Sequence, residues 1–337
     1  MAAPVATPTL LTLTLLLALF PTLVSPAGAQ SSIDDVHVAP RVTEQGPSEM
    51  ADNRGLETHT PPIKKQVDLV LVPVTITDEM DRVITGLAKD NFQVFDGKQR
   101  QEIQHFSSED VPVSVGIILD MSGSMKDKMA RAREAISEFC RSANPQDEFF
   151  LIAFADSPWV VTDFTQRTED VQSISLLTLP KGRTALLDAI YFGIEKMRQA
   201  RHQRKALMVI SDGGDNHSRY TEREVKSLVK EADVMIYAVG IYDSYFATLE
   251  ERLGPQLLND VAGVTGGRAF TIDNPNDLPN VVARIGMQLR NQYVLGYRPA
   301  SKPGDGKWHK IKVKMRLPRG LPPIQVFAKA GYYAPTQ

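Results

Sequence analysis

A chain of 337 residues is long enough for two domains and a tail, and 42 % hydrophobic with 23 % charged residues is ordinary for a globular protein. Thirty-eight basic against 40 acidic side chains leave a formal net charge of −2, which excludes the broad basic field that nucleic-acid binding requires. The single cysteine, Cys140, excludes a disulfide framework within the chain and a cysteine-based zinc cluster.

Residues 10–19 form an apolar run broken by Pro21 and followed by Ala27, Gly28 and Ala29, the small-x-small pattern that signal peptidase accepts. Residues 1–29 are therefore expected to be an export signal, which places the mature chain in the periplasm, in the medium or on the cell surface. No Lys or Arg precedes Arg41. A retained anchor helix is thus the competing reading, and any membrane contact would come through that uncleaved segment. Residues 30–64 are rich in Pro, Ser, Thr, Asp and Glu without apolar periodicity, as in a disordered tether.

Strand signals follow at 67–76, with Pro73 at an irregularity or edge, at 92–95 leading into the Asp96-Gly97 turn, and at 103–106. They make 65–108 a first β flank. Between 112 and 290 the pattern changes. Short β-branched or aromatic runs at 113–119, 149–154, 206–210, 234–239 and 269–272 alternate with stretches of helical length and spacing at 125–141, 185–199, 221–232 and 278–290. Repeated β-α units of this kind predict a doubly wound α/β domain with a mostly parallel open sheet. Strands return at 293–297, 308–315 and 323–330, with turns at Gly304-Asp305-Gly306 and Pro318-Arg319-Gly320. Neither β flank is large enough to bury a core alone. The expectation is that 65–108 and 291–337 form one small β-sandwich with the α/β domain inserted between them.

The first strand of the α/β block ends in Asp120-Met121-Ser122-Gly123-Ser124, directly before a helix. Ligands of open α/β sheets bind outside the carboxyl ends of the strands. One carboxylate and two hydroxyls at alternate positions, around a turn that Gly123 permits, supply the oxygen donors that Mg²⁺ or Mn²⁺ prefers. The same residues also suit a plain helix cap. Two further loops on the same sheet edge favour the metal: Arg183-Thr184 before the helix at 185, and Ser211-Asp212-Gly213 after the strand at 206–210.

Asp120, Ser122, Ser124, Thr184 and Asp212 together resemble the metal-ion-dependent adhesion site of von Willebrand factor A domains. The resemblance covers about 113–289, and the β flanks, ending in Gly331-Tyr332-Tyr333, resemble secreted bacterial proteins related to that family. It implies that Asp120, Ser122 and Ser124 form the primary metal loop, that Thr184 ligates directly or through water, and that Asp212 acts through water. The cation would be Mg²⁺, or alternatively Mn²⁺ or Ca²⁺. A protein partner would complete its coordination with an Asp or Glu carboxylate. Arg183 stands where such domains commonly carry Gly, which would stiffen the second loop or add positive charge beside the metal. Gly123, Arg183, Gly213 and Asp215 are candidates for support of the metal or for contact with the ligand.

Other residues carry weaker signals. Cys140 falls on an apolar helical face, as a buried, inert thiol would. His105, His202 and His309 are isolated from one another in sequence, and Trp159 and Trp308 read as packing residues. Non-enzymatic, metal-dependent adhesion is the expected function. A metal-dependent hydrolase or phosphotransferase using Asp120, and a metal-free scaffold, are the alternatives. The first of these lacks support from a nucleophile elbow, a zinc-protease motif or a phosphate loop.

Overall fold

The computed structural model describes residues 69–172, 179–212, 214–242, 249–299, 305–316 and 323–334. The expected export signal, the tether and the Pro318-Arg319-Gly320 turn lie outside them.

The described residues open with four strands, β1 (Val70–Asp78), β2 (Phe92–Asp96), β3 (Gln99–Gln101) and β4 (Ile103–Ser107). Asp96-Gly97 turns as expected, with Gly97 at φ +57°, a left-handed conformation that costs glycine little. The strand paired across this turn is β3, a polar Gln-Arg-Gln segment too short and hydrophilic to signal itself in sequence.

The α/β block begins at β5 (Val113–Asp120), whose eight residues are all buried, as both faces of a central parallel strand must be. In chain order α1 (Met129–Arg141), β6 (Glu148–Phe154), β7 (Pro158–Thr165), α2 (Thr168–Gln172), α3 (Leu186–Met197) and β8 (Arg204–Ser211) come next. After them come α4 (Glu222–Glu231), β9 (Met235–Ile241), α5 (Leu249–Thr265), β10 (Ala269–Ile272) and α6 (Leu278–Arg290). The six strands run in the order β10-β9-β8-β5-β6-β7, parallel except for β7. One face buries apolar residues of α1 and α6 against the sheet, and the other those of α3, α4 and α5. The fold is thus the doubly wound sheet expected from the alternation of elements.

Three elements of this block were not legible beforehand. Strand β7 opens on Pro158 at the sheet edge, where its Trp159 and Val160 are exposed. Helix α2 spans only five residues. Helix α5 is the longest among the described residues, yet it carries Pro255 and Gly254 inside, and these residues conceal a helix when propensity is the guide.

The chain ends in β11 (Tyr293–Tyr297), β12 (Trp308–Met315), β13 (Ile324–Ala328) and β14 (Gly331–Tyr333). The strand expected at 323–330 is β13, and a further short strand, β14, follows it and joins the other sheet. One antiparallel sheet has the order β13-β1-β11-β4, the other β14-β12-β2-β3. Each mixes strands from before and after the α/β block. Val72, Val74, Ile76, Tyr293 and Leu295 of the first sheet share one buried core with Phe92, Val94 and Ile311 of the second. Pro73 lies in the half of β1 that pairs only with β11, since β13 pairs from Val74 onward, so its missing N–H removes no ladder bond on that open side.

The α/β block is tied to this sandwich by buried polar groups. The Gln292 amide nitrogen donates to Thr75 Oγ1 at 3.2 Å and Tyr237 Oη at 3.4 Å, and its oxygen accepts from the Arg204 guanidinium at 3.2 Å. Arg268 donates to Asp81 at 2.6 Å and lies over the Phe327 ring.

Within the sheet, Leu119 of β5 stands beside Ile210 of β8, so Asp120 and Ser211 end adjacent strands in register. The chain leaves β5 toward β6 on one side, while β8 to β10 build outward on the other. The residues after Asp120 and Ser211 therefore emerge at the topological switch point, where open α/β sheets form their crevice.

Candidate metal centre

Strand β5 delivers Asp120 fully buried at its carboxyl end, and a single 3₁₀ turn, Gly123–Met125, follows. Met125, also fully buried, pins the turn to the core below. Both Asp120 oxygens are engaged: Oδ1 accepts from the Ser122 backbone N–H at 2.8 Å, and Oδ2 from the Ser211 hydroxyl at 2.5 Å. Burial, and after it the charge of Asp212, push the Asp120 carboxyl from its usual 3.8 up to about 6. An acid under that pressure is a place where added positive charge lowers the free energy.

The hydroxyls of Ser122 and Ser124 are 3.1 Å apart, and Ser124 Oγ donates to Asp212 Oδ1 at 2.9 Å. The other Asp212 oxygen accepts from the Lys128 ammonium at 2.7 Å. Asp120, Ser122, Ser124 and Asp212, separated by up to 92 positions in the chain, thus belong to one connected polar cluster.

Thr184 is buried on the neighbouring loop, which is held against the Asp120 turn by two backbone bonds. Gly123 N–H donates to Gly182 C=O at 3.2 Å, and Lys181 N–H to Met121 C=O at 2.9 Å. Gly182 has φ +94°, and a Cβ there would stand 2.7 Å from an Asp156 carboxylate oxygen, so glycine is required at this position. Arg183 turns to Asp156: its N–H donates to Oδ1 at 3.0 Å and its Nε at 3.4 Å, which holds the Asp156 carboxyl below its usual range. Thr184 N–H donates to Asn216 Oδ1 at 2.9 Å, and its C=O accepts from the Asn216 and His217 N–H groups. The segment after β8 therefore fixes Thr184. Asp215 caps α3, accepting from Leu187 N–H at 3.2 Å and from the Ser218 hydroxyl. Gly213 lies outside the described residues.

Four residues beyond the expected ligands hold this centre together. Ser211 holds Asp120, Lys128 holds Asp212, Asn216 holds Thr184, and Gly182 brings the loops together. Ser211 was detectable as the neighbour of Asp212, whereas nothing in the sequence marks Lys128, three residues past the turn, as reaching back to Asp212.

The donor set suits a hard cation. Two carboxylates with hydroxyls beside them are all-oxygen donors, and among the described residues no group of three or more His, Cys, Asp or Glu offers a softer alternative. The Lys128 ammonium stands 2.7 Å from the Asp212 carboxylate as its counter-ion. Elsewhere, Cys140 is buried and its thiol is pushed up to about 12 by burial. His309 contacts Asp96 and Asp305, and His202 a backbone carbonyl. Trp308 packs edge-on against Tyr333, but Trp159 is surface rather than packing.

Residues 114–284 match the family model of the von Willebrand factor type A domain. An uncharacterised protein of Borreliella burgdorferi is 24 % identical over 183 residues, 47 % of this chain and 53 % of that protein, so the chain spans about half the length of this relative. Among solved structures, a von Willebrand factor type A protein from Catenulispora acidiphila superimposes with a TM-score of 0.47 at 15 % identity, covering 80 % of this chain and 63 % of the other. Proximal thread matrix protein 1 from the mussel byssus, with zinc in its MIDAS motif, gives 0.45 at 16 %, covering 58 % and 49 %. With a six-stranded sheet between two helical layers, and a family match spanning half its length, this chain belongs to the von Willebrand factor type A domain family.

Proposed function

We propose that this chain is an exported, non-enzymatic adhesion-type protein whose α/β domain holds one divalent cation and uses it to bind an acidic protein partner. Asp120, Ser122 and Ser124 supply the primary oxygens, with Thr184 and Asp212 beside them, directly or through water. Mg²⁺ is the cation that best suits this donor set, with Mn²⁺ or Ca²⁺ as substitutes. Residues 1–29 direct export, 30–64 tether the folded part, and 112–290 carry the site between the sandwich halves 65–108 and 291–337.

The observation that carries this reading is the hydrogen bond from Ser124 to Asp212, which brings together hydroxyl and carboxylate oxygens of two loops far apart in the chain. Two carboxylates neutralise a divalent ion while hydroxyls add no charge, so an open coordination position stays electrophilic and accepts a carboxylate from outside. Exposed Lys126, Lys181 and Arg183 around the loops favour the same acidic partner.

The test is a crosslinking pull-down from the envelope and medium of the exporting cell, with Mg²⁺ and with chelator, using wild type and Asp120→Ala. Partners captured only by wild type and only with metal support the reading. Identical capture by Asp120→Ala in excess EDTA overturns it.

A further inference from the structure

Lys128 stands at the start of α1, and its side chain folds back into the metal centre. Its ammonium lies 2.7 Å from Asp212 Oδ2, with the Lys128 side chain 17 % exposed and that of Asp212 only 2 %. Lys128 is therefore a cation that answers the buried charge of Asp212. The surrounding bonds leave the cluster closed on itself. Ser124 donates to one Asp212 oxygen and Lys128 to the other, while Ser122 N–H and Ser211 hold the two Asp120 oxygens.

We propose that Lys128 is an internal counter-cation that competes with the divalent metal for the Asp212 carboxylate, holding the metal-free centre together and setting how tightly metal binds. The inference rests on the metal reading above and deepens it. Two effects act in the same direction. A charge-assisted bond to a buried carboxylate is among the stronger hydrogen bonds, and metal loading forfeits it. An ammonium left near a divalent ion also repels it, and more strongly in a partly buried site than in water. A chain with this lysine hence binds metal more weakly than its oxygen donors alone would allow. It therefore fills at a higher divalent-cation concentration than its oxygen donors alone would need.

The test uses the full chain as wild type, Lys128→Met, which keeps the length and removes the charge, and Lys128→Arg, which keeps the charge. Mg²⁺ is titrated calorimetrically at pH 7.5, and thermal unfolding is followed in EDTA. Lys128→Met should bind Mg²⁺ at least about tenfold more tightly than wild type, with Lys128→Arg within about threefold of wild type. In EDTA Lys128→Met should melt below wild type, and saturating Mg²⁺ should abolish the difference. Equal or weaker Mg²⁺ binding by Lys128→Met, or an unchanged melting temperature in EDTA, overturns the role of Lys128 while leaving the metal site standing. Absence of Mg²⁺ binding by all three proteins overturns both.

Discussion

Replacing Asp120 by Asn removes the charge from the most deeply buried acid of the centre while keeping its shape. Burial and the charge of Asp212 lift the Asp120 carboxyl from 3.8 to about 6 in the folded protein. The folded state therefore keeps a proton that the unfolded chain has released. A group raised in this way favours folding most below its unfolded value, and that contribution is lost as pH climbs toward about 6. The loss amounts to on the order of 3 kcal/mol when complete. Asn escapes this cost. Its side-chain oxygen still accepts from Ser122 N–H and its amide can donate to Ser211, with about 1 kcal/mol surrendered because neither bond is charge-assisted. Asp120→Asn should thus be more stable than wild type by about 1–3 kcal/mol at pH 7.5 in chelator, and about equal to it near pH 4.5. Urea unfolding at the two pH values reads this directly. With Mg²⁺ at about a hundredfold its dissociation constant, wild type should gain about 2.7 kcal/mol and the variant nothing. A variant less stable than wild type at pH 7.5 in chelator would refute the reasoning, as would one whose gain is the same at both pH values.

Three other outcomes follow from the packing. Gly116→Ala would place a methyl 2.2 Å from the Phe150 ring and 2.6 Å from Leu207 in the centre of the sheet, and should cost at least about 1–3 kcal/mol by urea unfolding. Gln292→Ala strips partners from Arg204, Thr75 and Tyr237 where the sandwich meets the α/β block, and should cost about 2–4 kcal/mol in the same assay. Ending the chain after Arg290 removes β11 to β14, leaving β1 and β4 without their sheet partners and β2 with β3 alone. Hydrogen exchange across residues 69–107 should then be fast, while the sheet of β5 to β10 stays protected.

The α/β block was legible because buried parallel strands write themselves as β-branched and aromatic runs, and five of its six strands were found in this way. Strand β7 escaped because it lies at an edge and begins on a proline, and α5 because Gly254-Pro255 interrupts a helix that tertiary packing sustains. The sandwich could be anticipated from size alone, since two small flanks need one another. Its register could not, because strands that alternate between two sheets, such as β13 and β14, look continuous in sequence. At the centre, the ligand candidates showed themselves by residue type and spacing. The residues that hold them showed less: Ser211 was marked only as the neighbour of Asp212, and Lys128 matters through where it ends up, which no local pattern records.

Diffraction from crystals soaked in Mn²⁺ addresses the proposed ligand set most directly, because anomalous scattering places the ion without reference to the protein atoms. A single strong peak about 2.1 Å from the Ser122 and Ser124 hydroxyl oxygens, with Asp120, Thr184 and Asp212 in its direct or water-bridged shell, is the expected result. The absence of a peak at saturating Mn²⁺, or a peak that touches neither serine, would contradict the adhesion-site assignment.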